Sequence, residues 1–195
     1  MTEPNQRRMR LMLVLIALAF FGPVALAVFL YTSNAWRPGA SIEHGKLLTH
    51  ATPVPDIALP PPLGATSQTR TLLRGRWSLI YFGPSSCRDA CAERVRAGRQ
   101  IRLALGREMT RVQRVFCISD GGAPSAELRD GNQGLVIVTD IASCLTIGRS
   151  LGQRTDGDIF LVDPIGNPVL RFPAETAMSD VLKDLQHLLK TSEIG

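Results

Sequence analysis

The chain has 195 residues, with 22 Lys and Arg against 17 Asp and Glu, a formal net charge of +5. Apolar residues make up 45% and charged residues 20%, which is globular usage and excludes a disordered or low-complexity chain. Thirteen Pro and 17 Gly speak against a helical bundle, and this length suits one domain with an appendage.

Among the first ten residues Arg7, Arg8 and Arg10 stand against a single Glu3, and Leu11 to Tyr31 follow without a charge. As a helix that run would span about 31 Å, close to the roughly 30 Å of a bilayer core. Basic residues before it, with Tyr31 and Trp36 after it, predict a cytoplasmic N-terminus over 1–10 and a single transmembrane helix over 11–31. Ala25-Leu26-Ala27 has the form of a signal-peptidase site, but the apolar run continues through Val28, Phe29 and Leu30, which favours an uncleaved anchor. In a bacterium the helix would sit in the inner membrane and residues 32–195 in the periplasm, where thiols can be held as disulfides.

Residues 32–64 hold six Pro and show no helical or strand period, so an extended tether is expected there, leaving 65–195 as the folded domain. His44 and His50 then read as solvent-exposed spacers. Trp77–Gly83 (WSLIYFG) reads as a buried strand closed by Gly-Pro, and residues 88–107 as a helix. Val112–Ser119 is a second strand and Leu135–Ile141 a third. Asp158–Val162 and Asn167–Phe172 form a hairpin around DPIG, in which Asp163 and Pro164 are turn residues. Thr176–Lys190 closes the chain as an amphipathic helix. Strand, helix, strand, then hairpin and helix predict an α/β domain with a mixed sheet flanked by helices.

Four cysteines carry most of the chemistry. Cys87 and Cys91 lie just past a strand at a helix start, where unpaired N–H groups and the neighbouring Arg88 favour a thiolate. Four-residue spacing leaves either a disulfide or a shared metal open. Cys117 lies between apolar neighbours in VFCIS and reads as an inert buried thiol; a bridge from it to Cys144 is the alternative. Ser85 and Ser86 lack a His base nearby, so serine-nucleophile hydrolysis has no support. From Arg88 to Arg114 eight Arg face three acids, a net of +5. This reads as a solvated helix face, the alternative being a surface that steers an acidic partner or meets anionic lipid. An exported domain without a binding motif is not expected to take nucleic acid.

A strand ending in Phe-Gly, Cys-x-x-x-Cys opening a helix, a strand ending in Asp and the late FLVDPIGN resemble the Sco/SenC group. These are membrane-anchored thioredoxin-fold proteins that help deliver copper to cytochrome c oxidase. The likeness covers about residues 54–190. HGKLL, PVPDIAL, YFGPSSC, RVQRVF and IFLVDPIGNPVLRFP resemble more closely a Sco-like branch of small membrane proteins associated with proteobacterial oxidase assembly. The resemblance implies a thioredoxin-like mixed sheet behind one N-terminal transmembrane helix. It also implies an oxidase subunit or its assembly factors as partner. Cu(I) is admitted as a cofactor on Cys87 and Cys91, without any cofactor being required. The sequence departs from the family where Arg88 and Ala92 replace the usual Pro after each Cys. It departs again in GQRTDGDIF, which has no His where the family keeps its third copper ligand. Thioredoxin-like oxidoreductases place a cis-Pro at this stretch, and here Gly157 or Asp158 stands there. A Cys pair without the third ligand predicts thiol–disulfide exchange, with Cys87 as the more exposed, attacking thiol and Cys91 as the resolving one. The alternatives are a Cu(I)-carrying chaperone and a non-catalytic docking protein of the assembly machinery.

Overall fold

The computed structural model describes residues 3–32, 44–49, 51–59, 63, 70–71 and 73–192. The chain forms two compact units, Met1–Ser41 and Ile42–Gly195. The first holds α1 (Glu3–Thr32), a 30-residue helix with Pro23 inside it. Its stretch Arg7–Leu30 has a mean hydropathy of 2.8 and none of it is buried, so it is long and apolar enough to cross a membrane. Within a bilayer the break that Pro23 makes in the helix ladder is tolerated.

The second unit is built on a six-stranded mixed sheet whose strands run, from edge to edge, Lys46–Leu47 (β1), Pro168–Phe172 (β8), Ile159–Val162 (β7), Trp77–Gly83 (β4), Val112–Ile118 (β5) and Leu135–Val138 (β6). Its central strand β4 (Trp77–Gly83) pairs in parallel with β5 (Val112–Ile118), which pairs in parallel with β6 (Leu135–Val138). On the other side β4 pairs antiparallel with β7 (Ile159–Val162), and β7 with β8 (Pro168–Phe172). Helices cover both faces, which explains why β4 and β5 read as nearly continuous apolar runs instead of alternating. One face carries α2 (Ala90–Ala104) and α5 (Met178–Thr191) over a core that includes Tyr81, Phe116, Leu161, Phe172 and Leu185. The other carries α4 (Ile141–Leu151) over Ile80, Val115, Cys117, Val138 and Phe160.

Several sequence-based expectations change. The long helix expected over 88–107 starts at Ala90 and stops at Ala104; Gly106, at φ +58, turns the chain into a 3-10 segment, Gly106–Arg111. The third strand ends at Val138, because Asp140 caps a new helix: its carboxylate accepts from the Ser143 N–H at 2.8 Å, which makes Ile141 the first residue of α4. A short helix, α3 (Ala126–Arg129), was not anticipated either.

The Pro-rich segment, expected as a free tether, packs on the sheet over its described residues 44–49 and 51–59. Lys46–Leu47 is β1, an edge strand against β8, and Ala58–Leu59 (β2) pairs with Arg70–Thr71 (β3). The Val54 side chain is fully buried, and its N–H donates to the Gly166 carbonyl at 2.9 Å. His44 is no free spacer: its Nδ1 lies 2.9 Å from a buried carboxylate, Asp184, which also accepts from the N–H groups of His44 and Gly45. His50 and most of residues 60–72 lie outside the described residues.

The run of arginines is also more than a solvated face. Arg94 donates to the carbonyls of Pro173, Ala174 and Thr176, and Arg102 to that of Val112. Arg111 reaches the carbonyls of Leu189 and Ser192, and Arg114, with no exposed surface, that of Gln133. Burial lowers the Arg114 guanidinium to about 10. Arg96 does stay in solvent, near Glu127.

Candidate functional site

The site forms where β4 ends. Gly83 closes the strand, and its carbonyl accepts from the Ser119 N–H beyond β5, which holds the two strand ends together. Pro84 and Ser85 then turn the chain. Asp120 fixes that turn by accepting from the Ser85 N–H at 3.0 Å and its hydroxyl at 3.0 Å, and from the Gly122 N–H at 3.1 Å. The N–H donors of Gly122 and Ser85 hold the exposed Asp120 carboxyl below its ordinary value. Ser85 therefore has a structural task.

Cys87 follows, its N–H on the Pro84 carbonyl. It is joined to Cys91 by a disulfide, with the Cα atoms 5.2 Å apart. Asp89, between them, has φ +49, a region that side-chain-bearing residues seldom occupy. That bend lets α2 begin at Ala90, so Cys91 lies in the first turn of the helix and Cys87 outside it. The expected exposures are therefore reversed. Cys87 has no exposed surface and belongs to the apolar core, whereas Cys91 is partly exposed. A helix starting at residue 88 would leave Cys87 exposed at its mouth; the later start at Ala90 is the physical reason for the difference.

Cys91 opens onto a cleft of about 560 Å³, and Cys87 is not among its lining residues. One wall is α2, through Ala90, Glu93, Arg94 and Ala97. The floor is Tyr81, Phe82 and Phe116 from the sheet, and the facing wall is Asp156, Gly157 and Asp158. Arg94 joins the walls through its bonds to the carbonyls after β8; burial lowers its guanidinium pKa. None of these lining residues was singled out from sequence apart from Cys91, Gly157 and Asp158. The aromatic end of WSLIYFG was the available signal.

The facing loop is GQRTDGDIF, where the sequence lacks the family's His. Arg154 lies 4.5 Å over the Phe82 ring and anchors the loop to β4. Gly157, at φ +84, passes so close to Ala174 that a Cβ would lie 2.9 Å from the Ala174 methyl. Asp158 is buried, and its Oδ2 accepts from the Thr155 N–H and the Arg171 guanidinium at 2.6 and 2.8 Å. Its Oδ1 has no hydrogen-bond partner among the described residues. All described peptide bonds are trans, so neither Gly157 nor Asp158 reproduces a cis-Pro.

The donor set fits copper only in part. Reduced Cys87 and Cys91 would give two soft sulfurs, the ligand type Cu(I) prefers. Among the described residues no group of three His, Cys, Asp or Glu side chains is placed to hold a metal, and Asp158 is committed to Arg171. Among the described residues a trigonal site is therefore not built.

Cys117 and Cys144 are free thiols on the opposite face of the sheet, not a disulfide. A hydrogen bond with Cys144, together with burial, pushes the Cys117 thiol well up, and the Cys144 Sγ lies 3.4 Å from the Val138 carbonyl.

The family of transmembrane-like, thioredoxin-like, C-terminal domains matches residues 77–192. The chain belongs to that family. No curated protein matches it in sequence. Among solved structures, apo Sco1 from Thermus thermophilus is similar at 21% identity and TM-score 0.58, covering 78% of this chain and 99% of its own. ScoI from Bradyrhizobium japonicum with copper bound is 21% identical with TM-score 0.53, covering 70% and 99%. BsSco, described as having a disulfide switch and as a member of the Sco family of cytochrome c oxidase assembly proteins, is 14% identical with TM-score 0.55, covering 73% and 96%. At these identities the likeness is one of fold, and the expected thioredoxin-like, Sco-like fold is the observed one.

Proposed function

We propose that the protein is a single-pass inner-membrane factor with its folded domain in the periplasm, which serves the assembly of a copper-containing respiratory oxidase by thiol–disulfide exchange through Cys87 and Cys91. The observation that carries this reading is the Cys87–Cys91 disulfide bordering a cleft whose opposite loop, GQRTDGDIF, has neither His nor Cys to join the two sulfurs. The apolar helix supports anchoring, and the Sco-like fold supports an oxidase subunit or its assembly factors as partner.

In the reducing direction the protein's dithiol is oxidised by two electrons. One thiolate attacks a target disulfide, forming a mixed disulfide and releasing the first target thiolate. The second protein thiolate attacks the mixed disulfide, restores Cys87–Cys91 and releases the other target sulfur. Such a step would leave a target's cysteines reduced and ready for metal.

The test equilibrates the full-length chain in detergent with glutathione buffers, alkylates free thiols and reads the oxidised fraction by mass spectrometry. A reversible transition, with reduction of a model disulfide by the reduced chain, is expected. A pair that stays oxidised in excess dithiothreitol, or a reduced pair that leaves the model disulfide intact, refutes the reading.

The fold shared with copper-bound ScoI favours a second reading, a Cu(I) carrier through the same two sulfurs. Anaerobic titration would then show one equivalent bound, abolished by Cys87→Ser.

A further inference from the structure

We propose that Cys91, and not Cys87, is the sulfur that exchanges with the partner, so that the Cys-x-x-x-Cys pair works from its C-terminal member. This rests on the thiol–disulfide reading above and assigns its direction.

A thiolate displaces one sulfur of a disulfide along the S–S axis, so it must reach the attacked atom from the side away from the leaving one. Cys87 gives no such approach: it has no exposed surface, packs in the apolar core and does not line the cleft. Cys91 is partly exposed and forms part of the cleft wall. Its position within the first turn of the 15-residue α2 also lets helix N–H groups stabilise it as a thiolate, and Cys87, three residues before the helix, lacks that position. Space for the Cys91 sulfur comes from Gly83. A Cβ built there would lie 3.1 Å from Cys91 Sγ and 2.9 Å from Phe116 Cζ.

In the oxidised protein an incoming thiolate bonds to Cys91 Sγ and the Sγ–Sγ bond breaks. Its electron pair leaves on the Cys87 sulfur, which takes over the negative charge that the incoming thiolate brought. In the reduced protein the Cys91 thiolate attacks the target disulfide, and Cys87 then attacks Cys91 Sγ to expel the target thiolate. Cys87 is the resolving residue, and its burial keeps the partner from reaching it.

Glutathione is the probe. Full-length Cys87→Ser and Cys91→Ser, reduced and held in detergent, are mixed with glutathione disulfide, and the modified peptide is mapped over time. Cys87→Ser should take glutathione on Cys91 at least about ten-fold faster than Cys91→Ser takes it on Cys87. Independently of either variant, the oxidised wild-type chain is exposed to reduced glutathione and quenched in acid, and the adduct should sit on Cys91. Adducts on Cys87, or equal rates in the two variants, overturn the assignment and leave the exchange reading standing. No adduct on either cysteine in any of the three proteins overturns both.

Discussion

Gly98 sits in the middle of α2 against β4, and changing it to Ala sets two effects of opposite sign against each other. In an exposed helix the change would stabilise by about 1 kcal/mol, because Ala loses less backbone freedom than Gly. Here the new Cβ would fall on Tyr81 Oη and lie 2.8 Å from Tyr81 Cζ, closer than real Cβ atoms come. Tyr81 is buried and its ring is held within the core, so relief requires α2 to rise from the sheet. Overpacking of this kind costs about 1–3 kcal/mol, and contact with two ring atoms puts it near 3. The net loss is about 2 kcal/mol, which for a unit of this size lowers Tm by about 4–8 °C. Tyr81→Phe removes the coinciding oxygen and leaves the 2.8 Å contact, so the double variant should recover part of the loss. Tyr81→Phe alone should be neutral or stabilising, since the hydroxyl has no hydrogen-bond partner among the described residues. Thermal scans of the full chain and the three variants, followed by circular dichroism, supply the numbers. A Tm for Gly98→Ala at or above wild type, or no recovery in the double variant, would refute the argument. Because α2 also carries Cys91, the same displacement should change the rate at which dithiothreitol opens the disulfide.

Asp158→Ala removes the buried partner of Arg171, which at 22% side-chain exposure can still reach water. The cost should fall near 2–3 kcal/mol, at or below the range for breaking a fully buried pair, and denaturant unfolding would measure it. The Asp120 carboxyl has a folded pKa below its ordinary 3.8. Its stabilisation is therefore complete above about pH 5 and is lost as pH falls through the depressed folded value. Asp120→Asn should accordingly melt lower than wild type at pH 7, and the gap should narrow as the pH falls below 3.8. Cys117 and Cys144 are buried, and the Cys117 thiol is raised by its hydrogen bond with Cys144 and by burial. Ellman titration at pH 8 should find no reactive thiol in the native oxidised chain and both after unfolding; prompt reaction of the native chain would contradict their burial.

Much of the sheet was legible because β4, β5 and the DPIG hairpin announce themselves by nearly continuous apolar runs and turn residues. What went wrong has local causes. LVIVTDI reads as one strand until Asp140 is seen as a helix cap, and a single side-chain oxygen decides that boundary. The segment around Val54 has no period to detect, since it docks by one buried side chain and isolated main-chain bonds. The Cys pair was legible as a pair, but its polarity was not. Which sulfur meets solvent depends on a helix start that Asp89 postpones by its left-handed backbone, and no spacing rule encodes that.

The arginines that reach main-chain carbonyls have a consequence for how such a sequence can vary. A carbonyl is present whatever residue bears it. The acceptors at Pro173, Ala174, Thr176, Val112, Leu189, Ser192 and Gln133 would survive side-chain replacement as long as the backbone path is kept. The donors have no such freedom, because Lys offers a point charge on a flexible stem where Arg offers a planar fork. Tolerance to substitution is therefore one-sided here: wide among the residues that receive these bonds and narrow at Arg94, Arg102, Arg111 and Arg114, which give them.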